Sequence, residues 1–346
     1  MPGSKRAAAL ASSAPRREDR GKNDRGGGRM RRTVLAALLG LAVAMPAAAE
    51  ERTIRLVSGF AAGGASDLVA RLTANELGPI LGARVVVENR TGVNGVIGAA
   101  EVARSAPDGN TLFQCPMSTL AIVPQLVGAS LPLDPGEALQ PIANLALSSY
   151  GFVVAAKGPY ASVQEVLAAA RARPGQVSFG SAGVGSAQHL SGELLKQKTG
   201  TDMVHIPYRG ATPAALDILG GRTDFMITNL ADVAGQLRDG SMRLLALADT
   251  GGSPLFPTVR PLAEIVPGFD VTGWFGLCGP RGMPPEVAGR LEAALRQAMA
   301  GAALPRQFGE NGLTPRFEDA AALARRIAAD RRTWREVIRA VGVRAE

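Results

Sequence analysis

The feature that most constrains the fold is a regular alternation of short β-type runs with helical patterns. The runs fall at residues 53–58, 84–88, 111–115, 151–155, 177–180, 203–206, 224–228 and 243–249. Such alternation predicts α/β layers built on parallel strands. Between the runs, residues 66–81 place Leu68, Val69, Leu72, Leu77 and Ile80 near one helical face. Ser162 and Glu165 have capping-box spacing ahead of a helix over 167–173. Pro284-Pro285 opens a helix over 286–300, and residues 317–341 form a long amphipathic stretch with room for one break. No segment has linker composition, so two domains would be joined tightly, crossing near Gly151 and Thr272-Gly273-Trp274.

The N-terminal region sets the compartment. Met30-Arg31-Arg32 precedes an apolar run over 34–43 and then Pro46-Ala47-Ala48-Ala49-Glu50. A positive start, an apolar stretch too short to span a bilayer and small residues before a cut are the marks of a secretory signal peptide over 30–49, cleaved after Ala49. Residues 1–29, polar and rich in Arg and Gly, read as a non-native or disordered extension preceding the true start. Ten of the chain's 38 Lys/Arg and three of its 30 Asp/Glu lie before Glu50, leaving 28 against 27, a net charge of +1. The basic balance therefore belongs to the leader and points to neither nucleic acid nor an anionic membrane.

Removal of the leader leaves 297 of 346 residues, enough for two domains of about 150 residues each. Cys115 and Cys278 have no metal-type spacing, and they read as separate buried thiols, although export permits a bridge between them. No Cys follows the apolar leader run, so no lipid anchor is expected and the product should be soluble and periplasmic.

Two glycine-rich segments carry the chemistry. Residues 60–67, Phe60-Ala61-Ala62-Gly63-Gly64-Ala65-Ser66-Asp67, connect a strand to a helix, and residues 179–190 repeat that arrangement around Ser181, Gly183, Ser186 and His189. Backbone N–H groups and the positive end of a helix dipole meet at such a point, which favours an anion. Neither segment has the Gly-Lys-Ser/Thr of a phosphate loop or a full dinucleotide fingerprint. Asp67 either complements the dipole or accepts a hydrogen bond from a ligand amine or hydroxyl. Tyr208 lies at a strand end suited to a cleft wall, while His205 reads as structural. A hydrolase using Ser186 and His189 lacks a nucleophile elbow and an evident carboxylate to orient the base. The residues therefore point to a binding protein with no catalytic group, metal ligands or cofactor.

Taken in order, these segments resemble the Bug-type extracytoplasmic receptors of tripartite tricarboxylate transporters. The resemblance rests on Ile54-Arg55-Leu56-Val57 leading to Phe60 and Gly63-Gly64-Ala65-Ser66-Asp67, on Val86-Val87-Glu88-Asn89-Arg90-Thr91-Gly92, and on Ala106-Pro107-Asp108-Gly109. It continues through Gly180–Ser186 with His189, Pro207-Tyr208-Arg209-Gly210 and Gly220-Gly221-Arg222-Thr223-Asp224. The resemblance implies two Rossmann-like α/β domains around a central cleft, the periplasmic-binding-protein or Venus-flytrap architecture, with one domain over 50–150 and 273–346 and the other over 151–272. It further implies a monomer that hands a small mono-, di- or tricarboxylate or acidic amino acid to a membrane permease, with signalling to a sensor kinase as the alternative. By position, Phe60, Gly63, Gly64 and Asp67 would form one grip on the carboxylate, Ser181, Gly183, Ser186 and His189 the other, and Tyr208 the wall. Ser118, Thr119, Asn229 and Asp232 follow strand ends and join the candidates. Ala61-Ala62 and Thr91 stand where the family usually has proline.

Overall fold

The computed structural model describes residues 52–344 except 127 and 129, so the leader and the N-terminal extension lie outside the described residues. Residues 51–346 cluster as one compact unit. Its ten strands are β1 (Thr53–Ser58), β2 (Arg84–Asn89), β3 (Thr111–Pro116), β4 (Leu139–Ala155), β5 (Ser178–Ser181), β6 (Val204–Pro207), β7 (Phe225–Asn229), β8 (Met242–Leu247), β9 (Thr272–Pro280) and β10 (Leu313–Asp319). The eight sequence-predicted runs match β1 to β8 within a few residues. However, β4 extends twelve residues upstream of the predicted start, to Leu139, and β9 and β10 are additional.

The sheet is mixed, not wholly parallel. It runs β2-β1-β3-β9-β4-β7-β5-β6, with β8 and β10 also pairing β4. Parallel pairs occupy the two ends, β2-β1-β3 and β7-β5-β6, whereas β9 and β4 are antiparallel to their neighbours in the middle. The 17-residue β4 explains the change. Its first half pairs β9 up to Ser149 opposite Thr272, and from Tyr150 it pairs β7 at Asn229. One strand thus spans two sheet halves and exchanges partners at a single point.

Helices cover the faces as the apolar periodicity requires. Helix α1 (Ala65–Leu81) buries Val69 and Leu77 against Ile54, Leu56 and Leu112 of the first half. Each such fully buried aliphatic side chain contributes about 1.5–3 kcal/mol. After α2 (Val96–Ala103), α3 (Val163–Ala172) starts at Ser162, whose hydroxyl accepts from the Glu165 amide while the Glu165 carboxylate accepts from Ala161, a displaced form of the predicted capping box. Helices α4 (Ala187–Thr199) and α5 (Ala211–Leu219) follow β5 and β6. Then α6 (Pro285–Ala300), α7 (Ala303–Glu310) and α8 (Ala320–Val341) return to the first half, where α8 is unbroken and begins only after the Asp319 cap. Residues 317–319, predicted helical, belong instead to β10, which pairs β4 at Asn144 and Ala143.

The cysteines are also corrected. Cys115 and Cys278 form a disulfide with 6.0 Å between Cα atoms. They lie on adjacent strands, because β3 pairs β9 with Phe113 opposite Cys278 and Cys115 opposite Gly276. Chain order placed them 163 residues apart, and only the insertion of β9 beside β3 brings them together.

Candidate functional site

The first loop is built by β1 and α1. Gly63 adopts φ 83°, a left-handed conformation natural to glycine, and Gly64 is the extended N-cap. Asp67 braces the turn. Its carboxylate accepts from the Gly63 amide at 3.0 Å, from Arg71 Nε at 2.9 Å and from Asn89 Nδ2 at 2.9 Å. Burial pushes the Asp67 carboxyl up, but these donors outweigh it and hold it below the usual carboxylate range. Of the two roles open to Asp67, the geometry supports the structural one.

The second loop joins β5 to α4. Gly183 and Gly185 take φ 128° and 77°, and the Ser186 hydroxyl caps α4 by accepting from the His189 amide at 3.1 Å. His189 Nδ1 accepts from the Gly185 amide at 3.0 Å, and its ring stacks on His205 with centroids 3.8 Å apart. His205 Nε2 in turn lies 2.6 Å from Ser181 Oγ. Burial pushes the His189 imidazole down to about 3, helped by His205, and His205 down to about 4. These groups fix the loop from behind. With the Ser186 hydroxyl and His189 Nδ1 both engaged with backbone amides, the pair has no nucleophile–base contact.

Side chains tie the two loops together. The Ala65 amide donates to Asp232 Oδ1 at 2.7 Å and the Ala187 amide to Ser118 Oγ at 3.1 Å, so each helix start is met by a polar group from a distant part of the chain. Asn94 Nδ2 donates to the Val184 carbonyl, and Thr119 Oγ1 donates to the Asn94 carbonyl at 2.7 Å. Thr212 Oγ1 reaches the Ala62 carbonyl at 3.2 Å. The loops therefore face each other in a closed arrangement.

Two adjoining cavities lie between them, sharing Phe60 and Ala182. One, about 30 Å³, is bordered by the polar side chains of Ser66, Ser118, Gln188, Asn229 and Asp232, with Tyr150 and Trp274 behind. The other, about 300 Å³, is mostly apolar and also meets Gly183, Tyr208 and Arg209. Burial pushes Asp232 up, although Thr228 Oγ1 at 2.5 Å, Asn229 Nδ2 at 3.1 Å and Gln188 Nε2 at 3.4 Å donate to Oδ2. Tyr208 presents its ring to the larger cavity but donates its hydroxyl to Asp217 at 2.7 Å, and burial pushes the phenol up to about 12.

Of the thirteen sequence-derived candidates, Phe60, Gly64, Ser118, Gly183, Tyr208, Asn229 and Asp232 border the cavities. Gly63, Asp67, Thr119, Ser181, Ser186 and His189 stand one layer back and hold the loops. Asn94, Gln188 and Arg209 border the cavities but were not among the candidates. Gln188 and Arg209 lie inside quoted motifs, and the flanking Gly92 and Gly95 mark Asn94's turn. Tyr150 and Trp274 had no local signal, because strand pairing alone brings them there.

Two glycine-rich helix starts face each other across a cleft of a mixed α/β fold, the arrangement of a solute-binding receptor. The profile described as tripartite tricarboxylate transporter family receptor matches residues 69–343, and the chain belongs to this family. Its members are receptors, not enzymes. Protein BugT of Bordetella pertussis is 33% identical over 324 residues, covering 91% of this chain and 99% of BugT. Among solved structures, a Rhodopseudomonas palustris protein with adipate is similar at a TM-score of 0.82 and 29% identity, covering 87% of this chain and 99% of that one. MatC from the same organism, with bound malate, is similar at 0.78 and 28%, covering 83% and 99%.

Proposed function

We propose that this chain is a periplasmic receptor that captures a small carboxylate between the two loops and delivers it to the permease of a tripartite tricarboxylate transporter. The observation that carries this reading is the pair of helix starts, α1 and α4, converging on the smaller cavity. The amides of Ala65, Ala187 and His189 are already engaged. The amides at the second helical positions, Ser66 and Gln188, have no acceptor within their own helices and border that cavity. An anion there gains from both dipoles. Solved relatives with adipate and malate support the ligand class.

The partner exchange on β4 supports a hinge. One lobe spans 50–150 and 273–346 and the other 151–272, and they part at Ser149–Tyr150 on β4 and Thr272–Gly273 on β9. The ligand closes them, and the monomer with its leader removed after Ala49 is the working form. Calorimetric titration against mono-, di- and tricarboxylates tests the proposal. Saturable binding by at least one acid is expected, and no heat from any of them would refute it.

A further inference from the structure

Asp232 is a buried acid at a place that the ligand's own acid group must share. It ends the turn Leu230–Asp232 after β7, is 8% exposed and borders the smaller cavity. Its Oδ2 accepts from Thr228, Asn229 and Gln188, whereas Oδ1 accepts from the Ala65 amide alone. A carboxylate oxygen has about two lone pairs, so Oδ1 keeps one. The Ser66 amide is the next donor along the same turn of α1, and an acid oxygen accepted there stands beside Oδ1.

The charges at this place do not balance for two carboxylates. Each helix start supplies about half a positive charge, so α1 and α4 together offset about one anion. No Lys, Arg or His borders the smaller cavity, and Tyr150 is the one other titratable side chain at its wall among the described residues. Burial and the neighbouring Asp232 push the Tyr150 phenol up, so it stays neutral. The elements around Asp232 add no free cation. On α1, Asp67 is paired with Arg71, and on α4, His189 lays its ring on His205. Burial also pushes the Asp232 carboxyl up. Of two carboxylates enclosed in one site, one is pushed strongly up and holds a proton.

We infer that the receptor captures its carboxylate together with one proton from solvent, held between Asp232 Oδ1 and an oxygen of the acid. Asp232 thereby meets the ligand as a hydrogen-bond donor and not as a repelling charge. With the lobes parted, Asp232 loses the Ala65 amide and meets water, where an ordinary carboxyl is ionised at neutral pH. The proton enters as the cleft closes and returns to solvent as it opens. This deepens the receptor reading above and rests on it.

Calorimetric titration with acetate, adipate, malate and citrate at about pH 7.5, in HEPES and in Tris, tests it, because the difference in heat between the buffers counts the protons taken up. For the tightest of the four acids, uptake of at least about half a proton per acid is expected, with affinity at least about fivefold higher at about pH 6.5 than at about pH 8.5. Asp232→Asn keeps an acceptor for the Ala65 amide but cannot hold the proton, so it should show less than half of the parent's uptake. Infrared difference spectra of the parent, which do not depend on that variant folding, should gain a protonated-carboxyl band on loading. Binding without proton uptake, a variant that keeps the parent's uptake, or no such band would overturn the inference and leave the receptor reading standing. No binding by any of the four acids would overturn both.

Discussion

The Ala65 amide donates to Asp232 Oδ1 at 2.7 Å across 167 residues of sequence, so a side chain following β7 caps the helix that follows β1. The contact gives a buried carboxylate a helix dipole and gives an orphan amide an acceptor.

Replacing Asp232 by Ala should therefore be strongly destabilising. The Ala65 amide and the donors on Oδ2 lose a buried acceptor, and each buried unsatisfied group costs about 1–3 kcal/mol. Urea denaturation is expected to show a loss of at least about 2 kcal/mol.

Asn94 links the cleft walls through its side-chain amide to Val184 and its carbonyl to Thr119. It also sits at φ 48°, which asparagine tolerates and alanine does not. Asn94→Ala should weaken carboxylate binding about tenfold, equivalent to about 1.4 kcal/mol. Asn94→Gly, which restores the backbone but not the side-chain bond, should recover melting temperature without recovering affinity.

The stacked histidines predict an acid sensitivity. His189 and His205 titrate at about 3 and about 4 in the folded chain, below an unfolded value of about 6.5. As pH falls through 6.5 the unfolded chain binds protons first, so unfolding is favoured. The contribution is intact above about pH 6.5 and is lost progressively towards pH 4 and then 3. Melting temperature should fall across this window, and the double variant His189→Gln, His205→Gln should flatten the fall between pH 6.5 and 4.5.

The disulfide closes a separation of 163 residues, a long loop whose closure restricts the unfolded chain. Cys115→Ser with Cys278→Ser should lower stability by about 2–5 kcal/mol in denaturant titration. Carboxylate affinity should stay within about threefold, since neither cysteine borders a cavity.

Much of the site was legible because its signals are local. A glycine with positive φ, a small N-cap and a strand end are written within a few neighbouring residues, so both loops and seven of the cavity-lining positions could be named from the sequence. The division of labour within them was not. Ser186 and His189 look like reactive groups in one dimension, but their acceptors are spent on the backbone of their own loop. Asp67 looks like a ligand contact until Arg71 and Asn89 occupy its carboxylate.

By itself the sequence determined the alternating α/β elements, the two anion-favouring helix starts and the family resemblance, since apolar period and turn chemistry act over short range. Tertiary structure decided the rest. Antiparallel insertion of β9 beside β3 and β4 made the disulfide and placed Trp274 and Tyr150 behind the smaller cavity. The approach of 93–94 to 183–184 formed the larger cavity and gave Val93 its strained place. Those outcomes depend on which strands pair and which loops meet, and such long-range geometry has no periodicity from which to read it.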